Sequence, residues 1–112
     1  MDIIFRTTRL LHECTDQRIA QKRYGYNQAK LLRRRLDELK AAETLAVVRA
    51  LPQTRCHELT ADRAGQLSVD LQHPYRLIFR PAHEPAPAKP DGGLDWTRVT
   101  AIEIIEVVDT HG

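Results

Sequence analysis

The apolar residues of this 112-residue chain change their spacing once, and that change limits the folds open to it. Ala29, Leu32, Leu36 and Leu39 recur every three or four positions, while Lys30, Arg33, Arg34, Asp37 and Lys40 turn outward. That spacing predicts an amphipathic helix from about residue 27, with Asn27 as its cap. Past Pro52 the period becomes two. Leu67, Val69 and Leu71 alternate with Gln66, Ser68 and Asp70, the pattern of a half-buried strand. In the next strand Tyr75, Leu77 and Phe79 share one face, and Arg76, Ile78 and Arg80 share the other. Helices followed by hairpin-linked strands predict an α+β domain, with the helices on one side of an antiparallel β-meander.

The flanking segments fit the same plan. Ile3 to Arg6 is short and β-prone, an expected edge strand. Thr7 or Thr8 caps a first helix expected to run through Leu10, Leu11, Cys14 and Ile19 toward Arg23, where Gly25 breaks it. Leu45, Val48 and Leu51 keep helical spacing, either as a continuation of the second helix or as a short third one, and Pro52 stops them. Cys56 to Leu59 reads as a short strand, residues 61–65 as its turn and His73-Pro74 as the next turn. Pro81 to Asp95 holds four of the six prolines together with Asp91-Gly92-Gly93, so a long, mobile hairpin loop is expected, ending at Trp96. Val99 to Val108 is apolar on both faces and suits a central strand.

With 42% hydrophobic and 29% charged residues, the chain belongs among folded proteins and forms a single domain over residues 1–112. No apolar run approaches the roughly 20 residues of a membrane helix. The opening, Met1-Asp2-Ile3-Ile4-Phe5-Arg6, is too quickly charged for a signal peptide, so the expected location is the cytoplasm and no membrane partner is expected. Cys14 and Cys56 lie in different elements without a C-x-x-C pair and read as small apolar side chains, not a disulfide. The net charge of +2 says little, but Lys22-Arg23 and Lys30 to Arg35 gather positive charge in the first half. Such a band is either a solvated helix surface or a contact for a phosphate-rich or acidic partner.

Four residues outside that band suggest chemistry. His57 and Arg76 sit on predicted strands of the meander, and the last strand carries Asp109 and His111 to the C-terminus. Metal-independent RNA cleavage needs a proton acceptor, a proton donor and a fixed cation for the charge that builds on phosphate. Histidine suits both proton-transfer roles, and an arginine fork suits the non-bridging oxygens. His57, His111 and Asp109 are expected to share the base, acid and orienting roles, in an order the sequence leaves open. Each residue also has a plainer reading: His57 as a hydrogen-bonded surface group, Arg76 as an ion-pair partner of Asp70 or Glu103, Asp109 and His111 as a frayed tail. Dense ligand spacing and a glycine-rich phosphate loop are both missing from the sequence, so no metal or cofactor is expected.

The ordered set His57-Glu58-Leu59, Asp62 through Val69, Tyr75-Arg76-Leu77-Ile78-Phe79 and Val108-Asp109-Thr110-His111 resembles the RelE/ParE superfamily of bacterial type II toxins, and within it the HigB-type mRNA interferases. The resemblance covers nearly the whole chain. It implies a RelE-like fold and an active site at His57, Arg76, Asp109 and His111. The implied activity is ribosome-dependent cleavage of mRNA, and the implied partners are the ribosome, mRNA and a cognate helix-turn-helix antitoxin. Two positions depart from the family pattern. Thr60 stands near where a lysine is common, and Thr110 stands where a tyrosine often separates the aspartate from the histidine. They remove one phosphate-site cation and one base-stacking surface, and Arg63 is the residue expected to supply part of the missing charge. Lys30, Arg33, Arg34 and Lys40 are expected to meet RNA phosphates or an acidic antitoxin segment. The alternatives are a ParE-like poison of DNA gyrase and a catalytically degenerate, partner-binding member of the same fold.

Overall fold

The computed structural model describes residues 1–109 as an α+β fold, with four helices packed on one face of a five-stranded mixed sheet. The chain runs β1 (Asp2–Phe5), α1 (Thr8–Thr15), α2 (Gln17–Tyr24), α3 (Tyr26–Ala41), α4 (Leu45–Arg49), β2 (His57–Glu58), β3 (Leu67–Asp70), β4 (Tyr75–Pro81) and β5 (Ala101–Asp109). The sheet order is β1-β5-β4-β3-β2. Strands β2 to β5 form the expected antiparallel meander, and β5 is an interior strand between β1 and β4. The first strand lies at the edge, as its length suggests, but it runs parallel to β5, so the sheet is mixed.

The helical half differs from the sequence reading at two points. The first expected helix is two, because the Asp16 carboxylate accepts from the Arg18 and Ile19 N–H groups and starts α2 afresh. Thr7 caps α1, accepting from Leu10 N–H at 3.0 Å. The long helix α3 begins one residue before Asn27, and its cap is Gly25 at φ +85°, a backbone region glycine enters without steric cost. Residues 45–49 form a separate short helix, the second of the two alternatives that the apolar spacing allowed. The N-terminal ammonium group donates to carbonyls of Leu39, Lys40 and Ala42 at the C-terminal end of α3, where the helix dipole favours a cation.

One apolar core holds the layers together. Leu32, Leu36 and Leu39 of α3, with Leu45 and Val48 of α4, pack on Leu67, Val69, Leu77, Phe79, Ile102 and Ile104 of the sheet. Fully burying a side chain of the Leu, Ile or Phe class is worth roughly 1.5–3 kcal/mol, so this face fixes the strand register. A register shift between Ile78 and Phe79 matches Ile78 with Glu106 and Phe79 with Ile104. The extra residue, Ile105, is buried too.

Two further expectations are corrected. The strand from Leu67 is buried on both faces, since Ser68 is as inaccessible as its apolar neighbours. Pairing in β2 is confined to His57 and Glu58, although the Leu59 N–H extends the ladder to the Gln66 carbonyl. The segment from Pro81 to Asp95, expected as a long irregular hairpin loop, closes as a small hairpin over residues 87–95. Ala88 bridges Leu94, Lys89 N–H donates to Gly93, and Asp95 N–H donates to Pro87.

Candidate active site

Cross-strand partners in an antiparallel pair point to the same face, so the register assigns every candidate a side of the sheet. His57 lies opposite Ser68, Ser68 opposite Ile78, Asp70 opposite Arg76, and Arg76 opposite Val108. These residues occupy the face turned away from the helices. Its outer layer is charged: Arg63 pairs with Glu106, and Arg80 pairs with Glu103. Beneath those side chains Ser68 and Ile78 are fully covered.

Two sequence-predicted residues meet on this face. Arg76 Nη1 lies 3.1 Å from His57 Nε2, and His57 Nδ1 lies 2.9 Å from the Arg55 carbonyl. A carbonyl only accepts, so Nδ1 carries the proton. Arginine only donates, so Nε2 offers its lone pair. The imidazole is thus fixed as one neutral tautomer between a backbone carbonyl and a guanidinium. A third group completes the cluster: Asp70, whose Oδ1 lies 3.8 Å from Arg76 Nε and whose Oδ2 lies 3.4 Å from Arg55 Nε. Of the ion-pair partners anticipated for Arg76, Asp70 is therefore the one present, while Glu103 pairs with Arg80.

The remaining candidates lie elsewhere. Asp109 pairs in register with Tyr75, one residue out of phase with the Arg76–Val108 pair. Strand alternation therefore directs it to the opposite face from His57 and Arg76, at the end of the sheet. His111 and Thr110 lie outside the described residues. Arg63 is half-buried and bonded to Gln66 and Glu106, so its charge is already engaged on the open face. Thr60 is exposed just before the turn that holds Arg63. Lys30, Arg33, Arg34 and Lys40 are all exposed on α3, turned away from the sheet, so they form a second basic surface across the helical layer from His57.

Arg35, grouped with that basic band in the sequence reading, is the exception. It is buried and donates to the Asp70 carbonyl at 2.8 Å, the Gln53 carbonyl at 2.9 Å and Glu38 Oε1 at 2.8 Å. It thereby fixes the end of β3 that presents Asp70. Cys56, adjacent to His57, is half-buried, and burial pushes its thiol up to about 12 against the opposing Arg49 charge. It is therefore a neutral packing group at neutral pH, not a nucleophile.

Arg55 is a site residue that the sequence reading missed, since its neighbours carry no periodic pattern. Asp70 was visible as the cross-strand complement of Arg76, although only as an ion-pair partner. Compared with protein-family models and with curated proteins, the chain matches none.

Proposed function

We propose that this protein is a RelE-like toxin of a type II toxin–antitoxin pair, an endoribonuclease that cuts mRNA on the ribosome by metal-independent acid–base chemistry. The observation that carries this reading is the 3.1 Å contact between Arg76 Nη1 and His57 Nε2 on the sheet face turned away from the helices. A guanidinium beside a neutral imidazole is the pairing such a reaction uses. The ribose 2′-oxygen bonds to phosphorus, the bond from phosphorus to the 5′-oxygen breaks, and a 2′,3′-cyclic phosphate remains. The phosphate draws Arg76 onto its non-bridging oxygens, which frees the Nε2 lone pair to take the 2′ proton. His111 supplies the donor role, whereas Asp109, sent to the opposite face by the strand register, takes no part beside the imidazole. The Arg55 carbonyl holds the ring as the positive charge develops on it.

In this reading the ribosome positions the mRNA, and the basic surface of Lys30, Arg33, Arg34 and Lys40 serves the ribosomal RNA or the antitoxin. Among the described residues no helix is long and apolar enough to cross a membrane.

The test is to induce the protein and map mRNA 5′ ends on ribosomes. Cuts within codons are expected, and Arg76→Ala should slow them by about 10²–10³-fold, the usual cost of losing one group that stabilises developing charge. His57→Ala and His111→Ala should abolish them. Unchanged cleavage in the Arg76 variant, or growth arrest with intact mRNA, refutes the proposal. One observation favours a second reading, a non-catalytic partner-binding member of the same fold: Arg76 already has a carboxylate neighbour in Asp70. That reading expects no cuts and tight binding to the product of an adjacent short helix-turn-helix reading frame.

A further inference from the structure

Beside the His57–Arg76 pair lies a cleft of about 170 Å³, lined by Arg55, Asp70, His73, Tyr75 and Arg76 among others. It has room for a phosphate group and a few waters, at about 30 Å³ per water. His57 is not part of its wall, so an anion lodged there is not the one undergoing reaction. Arg76 is the partition: its Nη1 faces His57, and its Nε faces Asp70.

The cleft's charge is unbalanced in favour of an anion. Among the described residues a single carboxylate, Asp70, lies in this cleft between two guanidinium groups and meets each through Nε, which leaves terminal N–H groups of Arg55 available. The carboxylate does not satisfy either cation fully: Oδ1 is buried and makes no hydrogen bond among the described residues. The Arg55 side chain is 74% exposed, against 18% for Arg76, so it is the outer, accessible jaw.

The backbone at Arg55 adds a separate observation. It adopts φ +47° and ψ +46°, the left-handed region, where an arginine costs about 1–2 kcal/mol and a glycine almost nothing. The fold needs the carbonyl there, to hold His57 Nδ1, and any residue type supplies a carbonyl. A long cation therefore stands at a position that favours glycine, with its exposed guanidinium at the wall of the cleft.

We infer that Arg55 and Arg76, tethered by Asp70, form a phosphate subsite for the phosphodiester adjoining the scissile one on a single RNA strand. Its identity as an RNA site rests on the nuclease reading. Asp70 acts as a positioning residue that keeps the two forks apart and open.

The test uses the full-length protein and a fluorescently labelled single-stranded RNA heptamer in which every 2′-hydroxyl is methylated, so that it binds without being cut. Arg55→Gly should fold at least as well as wild type, judged by its urea midpoint, because glycine suits the backbone. It should bind the heptamer about tenfold more weakly, the lower end for a hydrogen bond to a charged group. Its log K against log salt slope should be shallower by about 0.7, the value for one phosphate contact on a single strand. Arg55→Gln should give the same losses and guards against any backbone effect of glycine. Inorganic phosphate should displace the heptamer from wild type more readily than from either variant.

Unchanged affinity and slope in both variants, equal displacement by phosphate, or no heptamer binding by wild type at low salt overturns the subsite. Ribosomal cleavage is scored separately. Cleavage by wild type with unaltered heptamer binding in the variants removes the subsite alone. Weakened binding in the variants without any cleavage by wild type removes the nuclease reading and leaves an anion subsite in place.

Discussion

Replacing Arg35 by alanine should destabilise the protein more than any substitution in the exposed basic band of the same helix. Arg35 is 7% exposed and bridges three elements, donating to the Asp70 carbonyl at the end of β3, the Gln53 carbonyl in the turn after α4, and Glu38 one turn along α3. Alanine leaves two backbone carbonyls short of a donor. Each such loss costs about 1–3 kcal/mol when the group stays dry. Glu38 is affected less, because Gln53 Nε2 still donates to its other oxygen at 2.8 Å and its side chain reaches water. A total near 3 kcal/mol follows, at the low end for breaking a buried charged network. For a domain of this length that corresponds to a fall in Tm of roughly 13 °C, since unfolding entropy runs at about 2.1 cal/mol/K per residue. Thermal and urea unfolding read it directly, with Arg34→Ala as the exposed control, expected within about 0.5 kcal/mol of wild type. A loss below about 1 kcal/mol for Arg35→Ala refutes the reasoning. It would mean that water reaches the two carbonyls once the side chain is gone.

Two other outcomes follow from backbone and burial. Ala61 sits at φ +58°, so Ala61→Gly should raise stability by about 0.5–1 kcal/mol, the left-handed penalty less the added chain entropy of glycine. Its urea midpoint should rise by about 0.3 M at a typical slope, and a fall in midpoint refutes this. Burial, aided by the Glu13 charge, pushes the Cys14 thiol from 9.0 up to about 12, and burial pushes Cys56 over the same range against the charge of Arg49. The unfolded thiols release their protons near pH 9 while the folded ones keep theirs, so stability is complete below about pH 9 and declines as pH rises toward 12. The slope reaches about 1.4 kcal/mol per pH unit per thiol. Urea unfolding at pH 8, 10 and 11 checks it, and a flat profile across that range refutes it.

The sequence disclosed most where one physical effect dominates. The α3 core face and the alternation of β4 were readable because burial of Leu32, Leu39, Leu77 and Phe79 outweighs every local preference at those positions. The placement of β5 inside the sheet, not at an edge, was readable for the same reason. What escaped depended on contacts distant along the chain. Arg35 has the same composition and local setting as Arg33 and Arg34, and only the carbonyls of Gln53 and Asp70, 18 and 35 residues away, turn it inward. The break at Asp16 was misread because a continuous helix and two helices share the same apolar spacing there. The cap is what decides between them. At the site, His57 and Arg76 were paired correctly from a pattern, but the face on which Asp109 falls is set by the strand register. A shift of one residue there reverses every side chain, and the composition of β5 gives no sign of it.

Asp70 shows why the packing and the site are not separable. Its carbonyl is held by Arg35 from the helical layer, while its carboxylate meets Arg55 and Arg76 at the open face. One residue therefore carries the rigidity of the core to the two cations of the cleft. Geometry held this way resists the slack that long arginine side chains otherwise bring, each with rotamer freedom worth about 2 kcal/mol. Both arginines are oriented before any anion arrives, so less ordering remains to oppose binding. The same arrangement sets a limit. A carboxylate that drew both forks fully onto itself would leave nothing for phosphate. Contacts of 3.4 and 3.8 Å through Nε are loose enough to orient the guanidinium groups without saturating them. The balance needs Asp70 at this length. A glutamate, one methylene longer, would close on the arginines and compete with the ligand, whereas an asparagine would orient them weakly and leave the cleft with two unopposed cations.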